Sequence, residues 1–132
     1  MKLSHLADYA VVLMSAAARF PAGERLSATL LADETGVPLP TAQKLMGQLA
    51  GAGLLDSHRG AGGGFTLSRP ADAISLADIV EAVEGPIAMS ACTNGKSDCA
   101  LDAHCRVKPH MSVVGHAVRG ALGAVSLTEL AR

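Results

Sequence analysis

A mainly α-helical fold carrying one small β-hairpin follows from three observations on this sequence. Nearly half of the 132 residues are apolar (49%), yet there are only two Phe, one Tyr and no Trp. A core built from Leu, Val, Ala and Met favours close helix–helix packing over a β-sandwich. Apolar residues recur at three- and four-residue steps in several segments, whereas strand signals flank a single glycine-rich stretch. Finally, all three cysteines fall between Cys92 and Cys105, in a loop studded with Gly, Asn, Ser and Asp. That loop reads as no packed element, and its thiols converge on something other than protein.

Residues 4–19 form the first expected helix. Ser4 can cap it, and Leu6, Ala10, Leu13, Met14 and Ala17 trace one face. Phe20-Pro21-Ala22-Gly23 ends it, because proline blocks continuation and glycine turns the chain. A second helix is expected over 27–35, with Ser27 as cap and Gly36 as stop. Val37-Pro38-Leu39-Pro40 then leads into a third near 40–52, with Leu45, Met46 and Leu49 inward and Thr41, Gln43, Lys44 and Gln48 outward. Two short helices joined by a Gly/Pro turn, the second polar on its outer face, make a helix-turn-helix.

Leu54-Leu55 and Phe65-Thr66-Leu67 flank Arg59-Gly60-Ala61-Gly62-Gly63-Gly64, a β-hairpin with a flexible tip. A hairpin directly after a recognition helix is a wing. Arg59 is placed to enter a minor groove, and the N–H groups of Gly60, Gly62 and Gly63 to approach phosphates. A dinucleotide loop is excluded because no helix follows the glycines. Gly95-Lys96-Ser97 is no phosphate loop either, since Ser90 holds the place of its first glycine.

Ser75-Leu76-Ala77-Asp78 approximates a capping box, opening a helix whose apolar face is Leu76, Ile79, Val80 and Val83. Beyond the cysteines, Val107, Met111, Val114, Val118, Ala121 and Val125 alternate in steps of four and three, the seam of a pairing helix. Gly115, Gly120 and Gly123 weaken that helix by roughly 1 kcal/mol each relative to Ala, so packing must hold it. Ser126 caps a short final helix with Glu129 three residues on. The expected layout is a winged helix-turn-helix over 1–70, a linking helix over 71–90, a cysteine loop over 91–106, and a dimerisation helix with a short C-terminal helix over 107–132.

The formal net charge is −1, with six Lys/Arg against five Asp/Glu in residues 1–70. DNA binding must therefore rest on locally placed side chains. Three cysteines cannot all pair within one chain, and polar residues interrupt any N-terminal signal core. No apolar run approaches the roughly 20 residues that span a bilayer. A cytoplasmic protein is expected, where a cysteine cluster means metal or redox chemistry.

The spacing is C-x6-C-x5-C. Structural zinc sites use tight C-x2–4-C pairs, whereas wider intervals suit a polynuclear iron–sulfur cluster. A cubane needs a fourth ligand, for which His104, His110, Asp98, Asp102 or a residue from elsewhere in a dimer are candidates. A thiol–disulfide switch without metal is the alternative, and an iron–sulfur carrier a more distant one. No acid–base pair or activated nucleophile supports an enzyme.

The chain as a whole resembles the IscR/NsrR/RirA-type winged-helix transcriptional regulators of bacteria, the Rrf family. The residues that carry the resemblance are the start Met1-Lys-Leu-Ser-His-Leu-Ala-Asp8-Tyr-Ala, the helix-turn-helix, the wing 59–65, Ile79-Val-Glu-Ala-Val-Glu84-Gly85-Pro86, and the cysteine triplet. Asp8-Tyr-Ala-Val and Glu84-Gly-Pro-Ile87 are most similar to the branch regulating SUF iron–sulfur assembly. The resemblance implies a homodimer on a palindromic operator, read by Thr41, Gln43 and Lys44 with Arg59 in the wing. It implies a cluster, [4Fe-4S] favoured over [2Fe-2S], on Cys92, Cys99 and Cys105. Asp8 matches the aspartate that completes the cluster from the partner subunit in nitric-oxide-sensing members. The histidine ligand of the biogenesis regulator falls here on Lys108, leaving His110 as a shifted substitute.

Overall fold

The computed structural model describes residues 2–88 and 104–132. Its elements run α1 (His5–Ala18), α2 (Ala28–Thr35), α3 (Leu39–Gly51), β1 (Leu55–His58), β2 (Gly64–Leu67), α4 (Leu76–Glu84), α5 (Lys108–Gly123) and α6 (Leu127–Leu130), with a 3₁₀ turn at Ala71–Ala73 before α4. The mainly helical fold with one antiparallel hairpin is the one expected from the sequence.

Serine sets four of the helix starts. The Oγ of Ser4 accepts from the N–H of Ala7 (3.2 Å), and that of Ser27 from Leu30 (3.0 Å). Ser75 and Asp78 complete a reciprocal box, at 3.1 Å and 3.0 Å. Ser126 accepts from Glu129 at 3.3 Å. Each such bond satisfies an N–H that no intrahelical carbonyl can reach, worth about 1 kcal/mol. α3 has no side-chain cap; Pro38 precedes it and Pro40 supplies a first-turn residue that needs no acceptor.

α1 lies at the centre, against α2, α3, α4 and α6. Ala7, Ala10, Ala16 and Ala17 are buried along it, so neighbouring backbones come close. Leu13, Met14, Leu31, Leu45, Met46, Leu49, Ile74 and Ile79 fill the space between these helices. On α4 the inward residues are Ala77, Ile79 and Val80, and Leu76 is only half-buried. Ala77 rather than Leu76 therefore marks that helix's inner face.

The C-terminal end returns to this same core. Leu127 is fully buried, its N–H donates to the Ile74 carbonyl (2.8 Å), and the N–H of Leu76 donates to Val125 (2.8 Å). α6 thus closes one end of the α1 layer, and the Arg19 guanidinium caps it by donating to Ala131 O at 3.2 Å.

Candidate nucleic-acid interface and cysteine segment

The turn between α2 and α3 is built from two devices. Gly36 adopts φ +82°, a left-handed conformation that reverses the chain at little steric cost. Thr35 donates its hydroxyl to Leu31 O (2.6 Å) and accepts the N–H of Val37 (3.2 Å). Val37 is buried beneath the turn, which fixes how α3 leaves it. With Ala42, Leu45, Met46 and Leu49 inward, α3 turns Gln43, Lys44, Gly47 and Gly51 to solvent, and Thr41 is half-exposed. Gln48 is less open than its spacing suggests: its Oε1 is buried without a hydrogen-bond partner.

β1 and β2 pair in the register Leu55↔Leu67, Asp56↔Thr66, Ser57↔Phe65 and His58↔Gly64. On its other edge β2 is bridged by Leu26, which donates to Phe65 O (2.8 Å) and accepts its N–H (2.7 Å). The hairpin is thereby rooted to the segment between α1 and α2.

The tip is closed by a hydrogen bond between its own residues. The N–H of Gly63 donates to Gly60 O (2.9 Å), with Gly62 at φ +75° and no non-glycine at positive φ, as in a type II turn. That N–H is committed to the turn and is not open to a phosphate. A Cβ at Gly63 would stand 2.7 Å from His58 O and 2.8 Å from Gly60 O. Close backbone approach at Gly63 and positive φ at Gly60 and Gly62 account for glycine at these positions. Arg59 is exposed on this turn, and neither it nor Lys44 has a carboxylate within ion-pair distance among the described residues. Arg25, unmarked by any sequence pattern, donates from Nη1 to Gly62 O at 2.7 Å.

Of the cluster candidates, Cys92, Cys99, Asp98 and Asp102 lie outside the described residues. Cys105 is a free, partly exposed thiol three residues before α5. Asp8 is exposed in the first turn of α1, and His104 and His110 are exposed near the start of α5. Among the described residues no three metal-binding side chains come together. The donors that are described fit an iron–sulfur group in kind: Cys105 is a free, partly exposed thiol, and Asp8 is an exposed carboxylate with no hydrogen-bond partner among the described residues. The group would draw its soft ligands from the cysteines and a hard oxygen ligand from Asp8.

A polar joint missed by the sequence reading links the two helices that bracket this segment. Glu81 on α4 accepts from Arg119 of α5 (2.8 Å and 2.9 Å to Oε1) and, through Oε2, from the N–H of Ile87 (3.1 Å). The same side of α5 carries its apolar contacts with the domain. Val118 and Leu122 turn toward Leu3, Val80 and Ile87, and Gly123 lies 4.0 Å from the Ala77 methyl. Val118 is thus directed at its own domain, not outward with Val114 and Ala121. The face left open carries Val113 (67% exposed), Val114 (42%), Ala117, Gly120, Ala121 and Ala124.

The chain matches the Rrf2 family, described as "Iron-dependent Transcriptional regulator", over residues 3–132. It belongs to that family. It is thus a winged-helix, DNA-binding transcriptional regulator and not a member of an enzyme family. Among solved structures it is similar to CymR (YrzC), the global cysteine regulator of B. subtilis, with 27% identity, 99% of this chain and 96% of that one covered, and a TM-score of 0.75. T. potens IscR follows at 26% identity, 98% and 85% covered, TM-score 0.71. The oxidized form of Staphylococcus aureus CymR is 29% identical, with 100% and 97% covered and a TM-score of 0.70. No helix among the described residues of this Rrf2 protein is long and apolar enough to cross a membrane.

Proposed function

We propose that this Rrf2 protein is a cytoplasmic, homodimeric repressor whose affinity for a palindromic operator is set by an iron–sulfur cluster on Cys92, Cys99 and Cys105. The cluster is [4Fe-4S], with Asp8 of a second copy as fourth ligand, and the genes controlled serve iron–sulfur assembly, iron supply or redox and nitric oxide stress. Thr41 and Gln43 read base edges from α3, Lys44 on the same helix pairs with the phosphate backbone, and Arg59 reads the minor groove. The observation that carries the reading is how the two helices on either side of the cysteines in the sequence are placed. Ile79 of α4 belongs to the same core as Leu45, Met46 and Leu49 of α3, α5 has an open apolar face, and Glu81 joins α4 to α5. The iron-dependent description of the family and the likeness to IscR support the same choice.

The test is anaerobic purification followed by iron and sulfide assay, absorption spectroscopy and gel shifts before and after cluster removal. The expected result is a coloured protein whose operator affinity changes at least tenfold with the cluster, and whose iron is lost in Cys105→Ser. In Asp8→Ala the cluster should become labile. A colourless protein that alters its DNA affinity on mild oxidation, with loss of two hydrogen atoms (two protons, and two electrons to the added oxidant) per thiol pair, would replace this reading with a disulfide switch.

A further inference from the structure

The wing is held at its root by the Leu26–Phe65 pair and within its tip by the Gly63–Gly60 bond. Neither fixes the tilt of the tip against the domain, because the β1–β2 ladder stops at His58↔Gly64. From Arg59 to Gly63 one hydrogen bond arrives from outside the hairpin among the described residues: Arg25 Nη1 to Gly62 O, 2.7 Å. A carbonyl partner leaves the guanidinium charge uncompensated, and no carboxylate lies within ion-pair distance of Arg25 among the described residues. Arg25 is held in place by its neighbour, since Leu26 is locked against β2.

We propose that Arg25 is a positioning residue for DNA binding: from the connection between α1 and α2 it fixes the wing tip through the Gly62 carbonyl and so presents Arg59 to the duplex in one geometry. A tip held this way loses less freedom on binding than a loose one, and the gain appears in affinity. This inference rests on the DNA-binding role proposed above and adds to it which residue sets the wing's share.

The test uses the full chain and a duplex selected by the wild-type protein from a randomised pool. Arg25→Ala should weaken binding roughly fivefold, the size of one net hydrogen bond. Arg59→Ala should weaken it roughly tenfold, and the double variant no more than Arg59→Ala alone, since without Arg59 there is nothing left to position. In the free protein, Arg25→Ala should speed hydrogen exchange at the Gly63 amide several-fold, which a residue that only touched phosphate would not do. Wild-type binding with losses that multiply in the double variant, or with Gly63 exchange unchanged, would overturn this inference alone. A wild-type chain that selects no DNA would sink it together with the reading it rests on.

Discussion

Gly64→Ala tests whether the wing is built as tightly as its geometry implies. Gly64 opens β2 at φ +131°, and a Cβ there would sit 2.8 Å from the Leu26 carbonyl oxygen and 3.2 Å from its carbon. Both obstacles are backbone, so no side chain can swing aside. Holding an L-residue at that φ costs about 1–3 kcal/mol. Escaping the contact instead parts Leu26 from Phe65, giving up two hydrogen bonds of 2.8 Å and 2.7 Å at about 0.5–1.5 kcal/mol each. Local fraying offers no cheap release, because Phe65 and Leu67 pack against the core. A loss of about 2–4 kcal/mol is expected, or about 10 °C in Tm for a chain of this size. Urea and thermal unfolding followed by circular dichroism measure it. Gly47→Ala is the control: it lies inside α3 with nothing within 4 Å of an added Cβ, and should stabilise by up to about 1 kcal/mol. A Gly64→Ala protein within about 0.5 kcal/mol of wild type would refute the argument that the wing is packed.

Three other substitutions probe separate parts. Val113→Glu should convert a dimer to a monomer in size-exclusion chromatography with light scattering and leave the monomer's fold intact, since Val113 is 67% exposed. A Val113→Glu protein that remains dimeric would move the interface away from this face of α5. Leu49→Ala removes a fully buried side chain beneath α3 and should cost about 2–5 kcal/mol in chemical denaturation. A cost below about 1 kcal/mol would mean that α3 is not seated as described. Lys44→Ala should lower DNA affinity across sequences and reduce the slope of log K against log salt by about 1, read from a salt series of gel shifts. An unchanged slope would take Lys44 off the phosphate backbone.

What could be read from the residues depended on how local each cause was. Helix ends were legible because a serine cap, a proline and a left-handed glycine act within three or four residues: Ser4, Ser27, Ser75 and Gly36 all do what their types suggest. The hairpin was legible from its glycines, of which Gly63 and Gly64 answer to close backbone approach. Leu26 escaped notice because a one-residue bridge has no periodicity. Arg25 and the Glu81–Arg119 pair escaped because their partners lie 37 and 38 positions away. The rotation of α5 was not legible for a physical reason: Val and Ala occur all round it, so periodicity marks no single inner side. The solvent-facing side of α3 was legible from its spacing, and the cysteine triplet was legible as a motif, with Cys92 and Cys99 outside the described residues.

The way α5 is held bears on what its open face is for. It is tied down late, through Arg119 to Glu81, Gly123 against Ala77, and the Ser75↔Ser126 bridge just beyond its end. Gly115 is the one buried residue of the helix, and Val107 just before it is 56% exposed. Three glycines and an apolar stripe in water make a poor helix on intrinsic grounds, so burial of that stripe is what the sequence lacks in a single chain. A second copy meeting the first along Val113, Ala117, Gly120 and Ala124 would supply it, at steps of four, three and four that suit paired helices. The small residues in that row let two backbones approach closely. Cys105 stands three residues before α5, so the helix that carries this open face follows directly from the cysteine segment.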